Sequence, residues 1–227
     1  MNNASLKLSP SDLTFLWDEC PRCFYLKVAL GINRPQLPFP KIFSRIDQLM
    51  KDFFAGKSTV ELFSSLPVGV VKFGEKWVTS ELIRLPGHAR HCYLTGKFDT
   101  LVAFEDGSYG VVDFKTSEAK PENIPFYGRQ LHAYAYALEH PAPGKLALSP
   151  ISKLGLLVVE PSSLEITPTG KIAYTGEVTW QDITKDETQF LHFIDKVLDL
   201  LELPEPPDNH PKCGWCQYRQ IARDTGM

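Results

Sequence analysis

The chain has 227 residues, and 24 basic against 27 acidic side chains give it a formal net charge of −3. Its hydrophobic content of 43% is ordinary for a globular protein, and no apolar run approaches the ~20 residues that span a bilayer. The start, MNNASLKLSPSDL, lacks the parts of a signal peptide, so we expect a cytoplasmic protein with no membrane partner. The net charge gives no sign of a nucleic-acid binder, although a basic groove can exist within a near-neutral total.

The first third of the chain predicts two helices. Ser9-Pro10-Ser11-Asp12 precedes an apolar run and is typical of a helix start, and this helix continues to Cys20, where a proline interrupts it. Prolines between residues 33 and 40 predict a linker. A second helix is predicted over residues 41–54, with apolar residues on one face: Ile42, Ile46, Leu49 and Phe53.

From about residue 76 the sequence predicts strands, because β-branched and aromatic residues dominate. The predicted strands cover residues 77–85, 93–104, 109–116, 151–160 and 171–179. Helices are predicted over residues 126–139 and from 184 to about 203. Helices around a central group of strands predict an α/β or α+β fold in one domain that spans residues 1–227.

Two acidic residues and a lysine form the first candidate site. Gly96-Lys97-Phe98-Asp99 is followed by Val111-Val112-Asp113-Phe114-Lys115-Thr116, and side chains alternate along a strand, so Asp113 and Lys115 point to one face. A carboxylate and an ammonium group in an apolar strand cost desolvation energy unless something holds them there, and a divalent cation would. The alternative is an exposed ion pair on an edge strand, which the tripeptide alone favours.

The position of Asp99 depends on the hairpin through Glu105-Asp106-Gly107-Ser108. A three-residue loop over 106–108 pairs residue 99 with 115 and 101 with 113, which places all three site side chains on one face. A two-residue loop over 106–107 pairs residue 99 with 114 and sends Asp99 to the other face. We predict the first of these registers.

The order of the motifs is more specific than any one of them. Gly-x-x-Asp is followed by the hairpin, by Val-Val-Asp-Phe-Lys-Thr, and by a helix that contains Gln130 and Tyr134. Together with cysteine segments near both ends, this order resembles the PD-(D/E)XK nuclease superfamily over most of the chain. The resemblance is to its RecB-like branch, which includes the CRISPR-associated iron–sulfur exonucleases. It implies a restriction-endonuclease-like core with a central mixed sheet flanked by helices.

The resemblance also implies roles for the matching strand residues. Asp99 and Asp113 would be ligands of Mg²⁺ or Mn²⁺, and the carbonyl of Phe114 would complete the inner sphere. Lys115 would be the catalytic lysine, which orients the attacking water or helps to deprotonate it.

Two helices add further candidates. By the resemblance, Gln130 and Tyr134 would support the site or contact the DNA backbone, whereas a bare i,i+4 pair is also compatible with plain helix surface. Family members often carry a histidine ligand in the early helix, and this chain has Asp47 there. Because aspartate also binds Mg²⁺, Asp47 is a candidate ligand, with a solvated residue as the equal alternative.

Four of the five cysteines form two Cys-x-x-Cys pairs: Cys20 with Cys23, and Cys213 with Cys216. In a cytosolic chain such pairs favour metal or redox chemistry, and four thiolates hold either a 4Fe–4S cluster or Zn²⁺. The resemblance favours the cluster, although Ala222 stands where relatives have a further cysteine; the two-plus-two spacing favours zinc. We predict the cluster, with zinc and four unliganded thiols as alternatives. Either metal site requires the two ends of the chain to meet.

Taken together, the sequence predicts a metal-dependent nuclease that hydrolyses single- or double-stranded DNA in repair, recombination or end processing. The chain contains no Gly-x-x-x-x-Gly-Lys-Ser/Thr phosphate loop, so ATP-driven unwinding would need a helicase or another nuclease subunit as partner. One alternative is an inactive nuclease fold that serves as a DNA-binding or assembly module. Another is a structural zinc or iron–sulfur protein in which Asp-Phe-Lys is accidental.

Overall fold

The structure is a computed structural model that describes residues 5–35, 40–116 and 120–226, without the side chains of Phe73 and Pro121. Within these ranges the strands are β1 (Leu6–Leu8), β2 (Gly69–Phe73), β3 (Lys76–Thr79), β4 (Cys92–Phe98), β5 (Thr100–Phe104), β6 (Tyr109–Thr116), β7 (Ile151–Ile166) and β8 (Ile172–Ile183). The α-helices are α1 (Trp17–Glu19), α2 (Pro21–Leu30), α3 (Lys41–Phe54), α4 (Thr59–Leu62), α5 (Ile124–Glu139), α6 (Glu187–Leu201) and α7 (Gly214–Asp224).

The larger sheet contains five strands in the order β2-β5-β6-β7-β8. β6 and β7 are parallel, and the other neighbouring pairs are antiparallel, so the sheet is mixed. Parallel neighbours require a crossover connection, which α5 provides between β6 and β7. The smaller sheet has the order β1-β4-β3. A mixed sheet flanked by helices confirms the predicted fold class.

Helices cover both faces of the five-stranded sheet. Residues of α2, α5 and α6 pack in the main core with Val111 of β6, whereas Phe54 at the end of α3 packs on the other face with Val112 and Phe114. Alternation along β6 therefore turns Asp113, like Val111, towards α5. None of the helices in the described ranges has the length and apolarity needed to cross a bilayer.

The hairpin between β5 and β6 corrects the predicted register. Leu101 pairs with Val111 and not with residue 113. The loop covers residues 105–107, one position earlier than predicted, because Gly107 takes the left-handed position of the turn with a φ of 85°. The register shifts by two residues, and the side-chain period of a strand is also two, so all three site side chains still share a face.

Two predicted strands are also corrected. The continuous strand over residues 93–104 is broken at Asp99, where the chain bends so that β4 pairs with β1 and β3 while β5 pairs with β2 and β6. The strand predicted over residues 77–85 ends at Thr79, and the chain then turns away at Pro86-Gly87, where Gly87 has a φ of 90°. The bend at Asp99 brings this residue beside β6.

Candidate functional site

Asp99, Asp113 and Lys115 converge where β4 bends into β5. Asp113 is only 2% exposed, in the second half of β6, and Nζ of Lys115 lies 2.5 Å from its Oδ2. Nζ of Lys115 is a charged donor at this distance, and no other group in the described part of the chain donates a hydrogen bond to Oδ2. A buried carboxylate oxygen whose described partner is a single cationic group fits the chemistry of a ligand to a hard cation.

The pKa values of the site follow from burial and from the neighbouring charges. Burial raises the pKa of Asp113 to about 6, and in this balance Lys115 acts to lower it while the adjacent Asp99 carboxylate acts to raise it. For Lys115, burial is the largest single influence and would lower the pKa, but the charge and hydrogen bonding of Asp113, together with the charges of Tyr127 and Asp99, outweigh burial and the pKa is raised. Lys115 therefore remains an ammonium group, and the two acids together exceed its charge.

Helix α5 holds the site from one side. Nε2 of Gln130 lies 3.4 Å from Oδ1 of Asp113, and the hydroxyl of Tyr134 donates to the carbonyl of Lys97 at 2.8 Å. Burial raises the pKa of Tyr134 to about 12, so this hydroxyl keeps its proton. Phe114 lines the cleft through its main chain, because its ring stacks on Phe54 at the opposite face of the sheet.

Gly96, the first residue of the Gly-x-x-Asp segment, allows the close approach of α5. A Cβ at this position would lie 2.8 Å from Cδ of Pro10 and 3.2 Å from Cε1 of Tyr134. Any larger residue would therefore displace Pro10 and press on the Tyr134 ring of α5. The glycine of the motif has a packing role.

Helix α3 brings two residues to this region: Lys51, which the sequence interpretation missed, and Asp47, which it left as a candidate ligand. Nζ of Lys51 lies 2.9 Å from Oδ1 of Asp99, 2.6 Å from Oδ2 of Asp47 and 2.8 Å from Oε1 of Glu75. Asp47 thus lines the cleft. Its carboxylate pairs with Lys51 and is not grouped with Asp99 and Asp113 as a shared ligand set would be. Lys97 pairs with the second oxygen of Glu75. The i,i+4 spacing of Asp47 and Lys51 was the only sequence signal of this group.

The acidic side chains, Lys97, Lys115, Gln130 and Tyr134 line an open cleft with a volume of about 710 Å³. Clefts of this size commonly hold small ligands or parts of larger ones. Its lining carries both acids and lysines, as the binding of a phosphodiester beside a cation requires.

The four paired cysteines come together at the beginnings of α2 and α7. All four are buried, and their sulfurs lie within 4.8 Å of one another. The separation is 3.5 Å between Cys23 and Cys216, 3.7 Å between Cys23 and Cys213, and 3.8 Å between Cys20 and Cys216. The predicted meeting of the two chain ends is therefore present, with a geometry that can enclose a metal ion.

The thiols compete for ionisation at this spacing. Burial raises the pKa of Cys216, which also faces the other three sulfurs. Burial would do the same at Cys20, but backbone hydrogen bonds from Cys23 and His210 lower the pKa of Cys20 to about 7. Nη2 of Arg34 lies 3.6 Å from Sγ of Cys213 and adds one positive charge. Four thiolates at these distances need a cation to offset their mutual repulsion.

Comparisons with known proteins agree with this geometry. The sequence matches the family model of the PD-(D/E)XK nuclease superfamily over residues 48–221, a range that contains the acidic pair, Lys115 and the second cysteine pair. The crystal structure of SSO0001 is similar with a TM-score of 0.53 and 16% sequence identity, covering 97% of this chain and 86% of that one. At this identity the similarity shows the fold alone. No curated protein matched the sequence.

Proposed function

The chain belongs to the PD-(D/E)XK nuclease superfamily, and from this membership we propose that it is a divalent-metal-dependent nuclease that hydrolyses phosphodiester bonds in DNA. Membership supports a nuclease-type function. The observation that carries the finer proposal is the convergence of Asp99, Asp113 and Lys115 in one open cleft.

The acidic pair fits a hard divalent cation. Asp99 and Asp113 would hold Mg²⁺ or Mn²⁺ together with the main-chain carbonyl of Phe114. Oδ2 of Asp113 supports this role, because it is buried and its partner among the described residues is the ammonium group of Lys115 alone. When bound, such an ion stabilises negative charge on the phosphate and makes water more acidic.

The remaining side chains orient the reactants. Because the pKa of Lys115 is raised, its ammonium group donates hydrogen bonds and orients the attacking water or a phosphate oxygen. Gln130 limits the rotation of the Asp113 carboxylate through the contact at 3.4 Å. Tyr134 holds β4 through the carbonyl of Lys97, which keeps the bend at Asp99 close to β6.

For the four-cysteine group we propose a structural zinc ion in place of the 4Fe–4S cluster that the family resemblance favours. Four Zn–S bonds of ~2.3 Å place tetrahedral sulfurs ~3.8 Å apart. Three of the six separations are 3.5, 3.7 and 3.8 Å, and all six are within 4.8 Å. In a cubane cluster each thiolate binds a different iron atom, so the sulfurs surround the whole cluster and lie further apart. Protein purified without oxygen should be colourless and contain one zinc per chain; a brown protein with iron would contradict the assignment.

The proposed setting is the cytoplasm, in DNA repair, recombination or end processing. Single- or double-stranded DNA is the proposed partner, and a helicase or another nuclease subunit would unwind duplex substrates.

The nuclease proposal is tested with labelled single- and double-stranded DNA in the presence of Mg²⁺ or Mn²⁺. Asp113→Asn should abolish both cleavage and Mn²⁺ binding, whereas Lys115→Met should retain Mn²⁺ and lose cleavage by about 10²–10³-fold, as is typical when one preorganised hydrogen-bond donor is removed. Asp199→Asn, an exposed carboxylate on α6, is the matched control and should cleave as the parent does. DNA binding without cleavage by the parent would favour an inactive nuclease fold.

A further inference from the structure

Lys51 is enclosed by carboxylates to an extent that the proposed catalysis does not require. We propose that Lys51 is a positioning residue that acts as a built-in cation: it fixes Asp99 and limits the cleft to a single divalent ion. This inference rests on the proposed function, because it concerns how the same cleft binds its metal.

The first argument is the geometry around the ammonium group. Three carboxylate oxygens, from Asp47, Glu75 and Asp99, surround Nζ of Lys51 at 2.6, 2.8 and 2.9 Å, and the Lys51 side chain is only 8% exposed. Mg²⁺ binds oxygens at ~2.0–2.1 Å, so these carboxylates would each move inward by less than ~1 Å to hold a divalent ion in place of the ammonium group. The same three oxygens thus form a cation cage that the lysine already fills.

The second argument is how rigidly this cage is built. Asp47 and Lys51 lie one turn apart on α3, Glu75 lies between β2 and β3, and Asp99 forms the bend between β4 and β5. Lys97 pairs with Oε2 of Glu75, which leaves Oε1 directed at Lys51. Three separate segments of the chain are therefore held around one buried ammonium group.

The third argument is the charge of the cleft. Four carboxylates, from Asp47, Glu75, Asp99 and Asp113, face three lysines, Lys51, Lys97 and Lys115. The net charge of these groups is therefore an excess of one negative charge. One divalent ion changes it to one positive charge, which would repel a second divalent ion. Without Lys51 the excess doubles, and the empty cage becomes available to a second divalent ion.

The test counts Mn²⁺ ions per chain by electron paramagnetic resonance titration, in full-length protein. Mn²⁺ prefers oxygen ligands, so the cysteine group does not add to the count. The parent should bind one Mn²⁺ and Asp113→Asn none. Lys51→Met should bind two, and the double variant Lys51→Met/Asp113→Asn should bind one. Lys153→Met is the matched control, because it removes a half-exposed lysine that faces the single carboxylate of Asp182, and it should bind one.

Thermal unfolding gives a second readout. Mn²⁺ should raise the Tm of Lys51→Met, and of the milder Lys51→Gln, by more than it raises the Tm of the parent, because an additional ion binds only the folded state. A count of one in Lys51→Met, or no additional stabilisation by Mn²⁺ in either variant, overturns the role of Lys51 while the nuclease proposal stands. A parent protein that binds no Mn²⁺ contradicts the proposal of a metal-dependent nuclease. If Lys51→Met binds one Mn²⁺ more than that parent, the proposal that Lys51 occupies a cation site is still supported.

Discussion

Asp99 and Asp113 are the same residue type in two different environments. Asp113 is almost fully buried, and burial raises its pKa to about 6. The Asp99 side chain is 23% exposed and is held at 2.9 Å by Lys51. Each acid thus has a lysine partner, but only Asp113 is almost fully buried. Their proximity provides the acidic pair on which the proposed metal site depends.

Gly96 provides a prediction about packing at the site. In Gly96→Ala the new Cβ would lie 2.8 Å from Cδ of Pro10 and 3.2 Å from Cε1 of Tyr134, so Pro10 must move away from β4 and the Tyr134 ring of α5 must shift slightly. We expect a loss of about 1–3 kcal/mol in the free energy of unfolding, measured with urea, as is usual for overpacking. We also expect weaker DNA cleavage, because the contact between Tyr134 and the Lys97 carbonyl is disturbed. Gly74→Ala is the control: its Cβ would meet open space, and a similar loss there would contradict the packing argument.

The sequence predicted the residues of the site better than their partners. Asp113 and Lys115 could be placed on one face because strand alternation is a local property. Lys51 and Glu75 are separated by 24 positions, and only the fold brings them to Asp99. No local pattern marks such an encounter, so the cage around Lys51 could not be predicted.

At the scale of elements, periodicity predicted α3 and β6 with the observed bounds. It did not predict what α3 packs against. Leu49 and Phe53, which are apolar, are 50% and 59% exposed. The same helix places Asp47 in the cleft and directs Lys51 to the carboxylates that line it. β1 contains only three residues, too few for a periodic signal, and α7 follows a proline-rich segment with a polar sequence. These elements form because they pack or pair with distant parts of the chain, and local sequence propensity does not predict such contacts.

The loop between β3 and β4 gives a prediction about pH. His88, with a side chain that is 5% exposed, lies 2.8 Å from Oδ1 of Asp195 and 3.3 Å from Oε2 of Glu202, at the end of α6. Burial would lower the pKa of His88, but these two carboxylates outweigh burial and raise it. The folded state thus favours the imidazolium form. Its contribution to stability is fully present below the unfolded-state pKa of about 6.5 and is lost as the pH rises through the higher folded-state value.

His88→Gln isolates this contribution from the other titrating groups. The parent should exceed His88→Gln in the free energy of unfolding by more at about pH 5.5 than at about pH 9, across the range in which the imidazole loses its proton. Urea unfolding of both proteins at a series of pH values measures this difference. A difference that is constant with pH would mean that the contacts of His88 do not depend on its charge.

At the scale of the whole molecule, the cysteine group joins segments that are 196 positions apart, from Cys20 to Cys216. The sequence predicted this meeting only because two Cys-x-x-Cys pairs are chemically suited to one ion. It did not predict the sulfur separations, which depend on how α2 and α7 dock. Those separations are what distinguish a single ion from a cluster in our proposal.

A metal that joins the two ends acts as a cross-link, so its loss should destabilise the whole fold. Cys213→Ser should lower the Tm by roughly 5–15 °C, if the link contributes about 2–5 kcal/mol as disulfides commonly do. Cys92→Ala is the control, because Cys92 is buried in the main core away from the other four cysteines. Zinc content and Tm should be measured before and after treatment with a chelator. The parent and Cys92→Ala should both lose zinc and stability, whereas Cys213→Ser should already lack the ion and respond little. Equal responses of all three proteins to the chelator would show that no metal at these cysteines supports the fold.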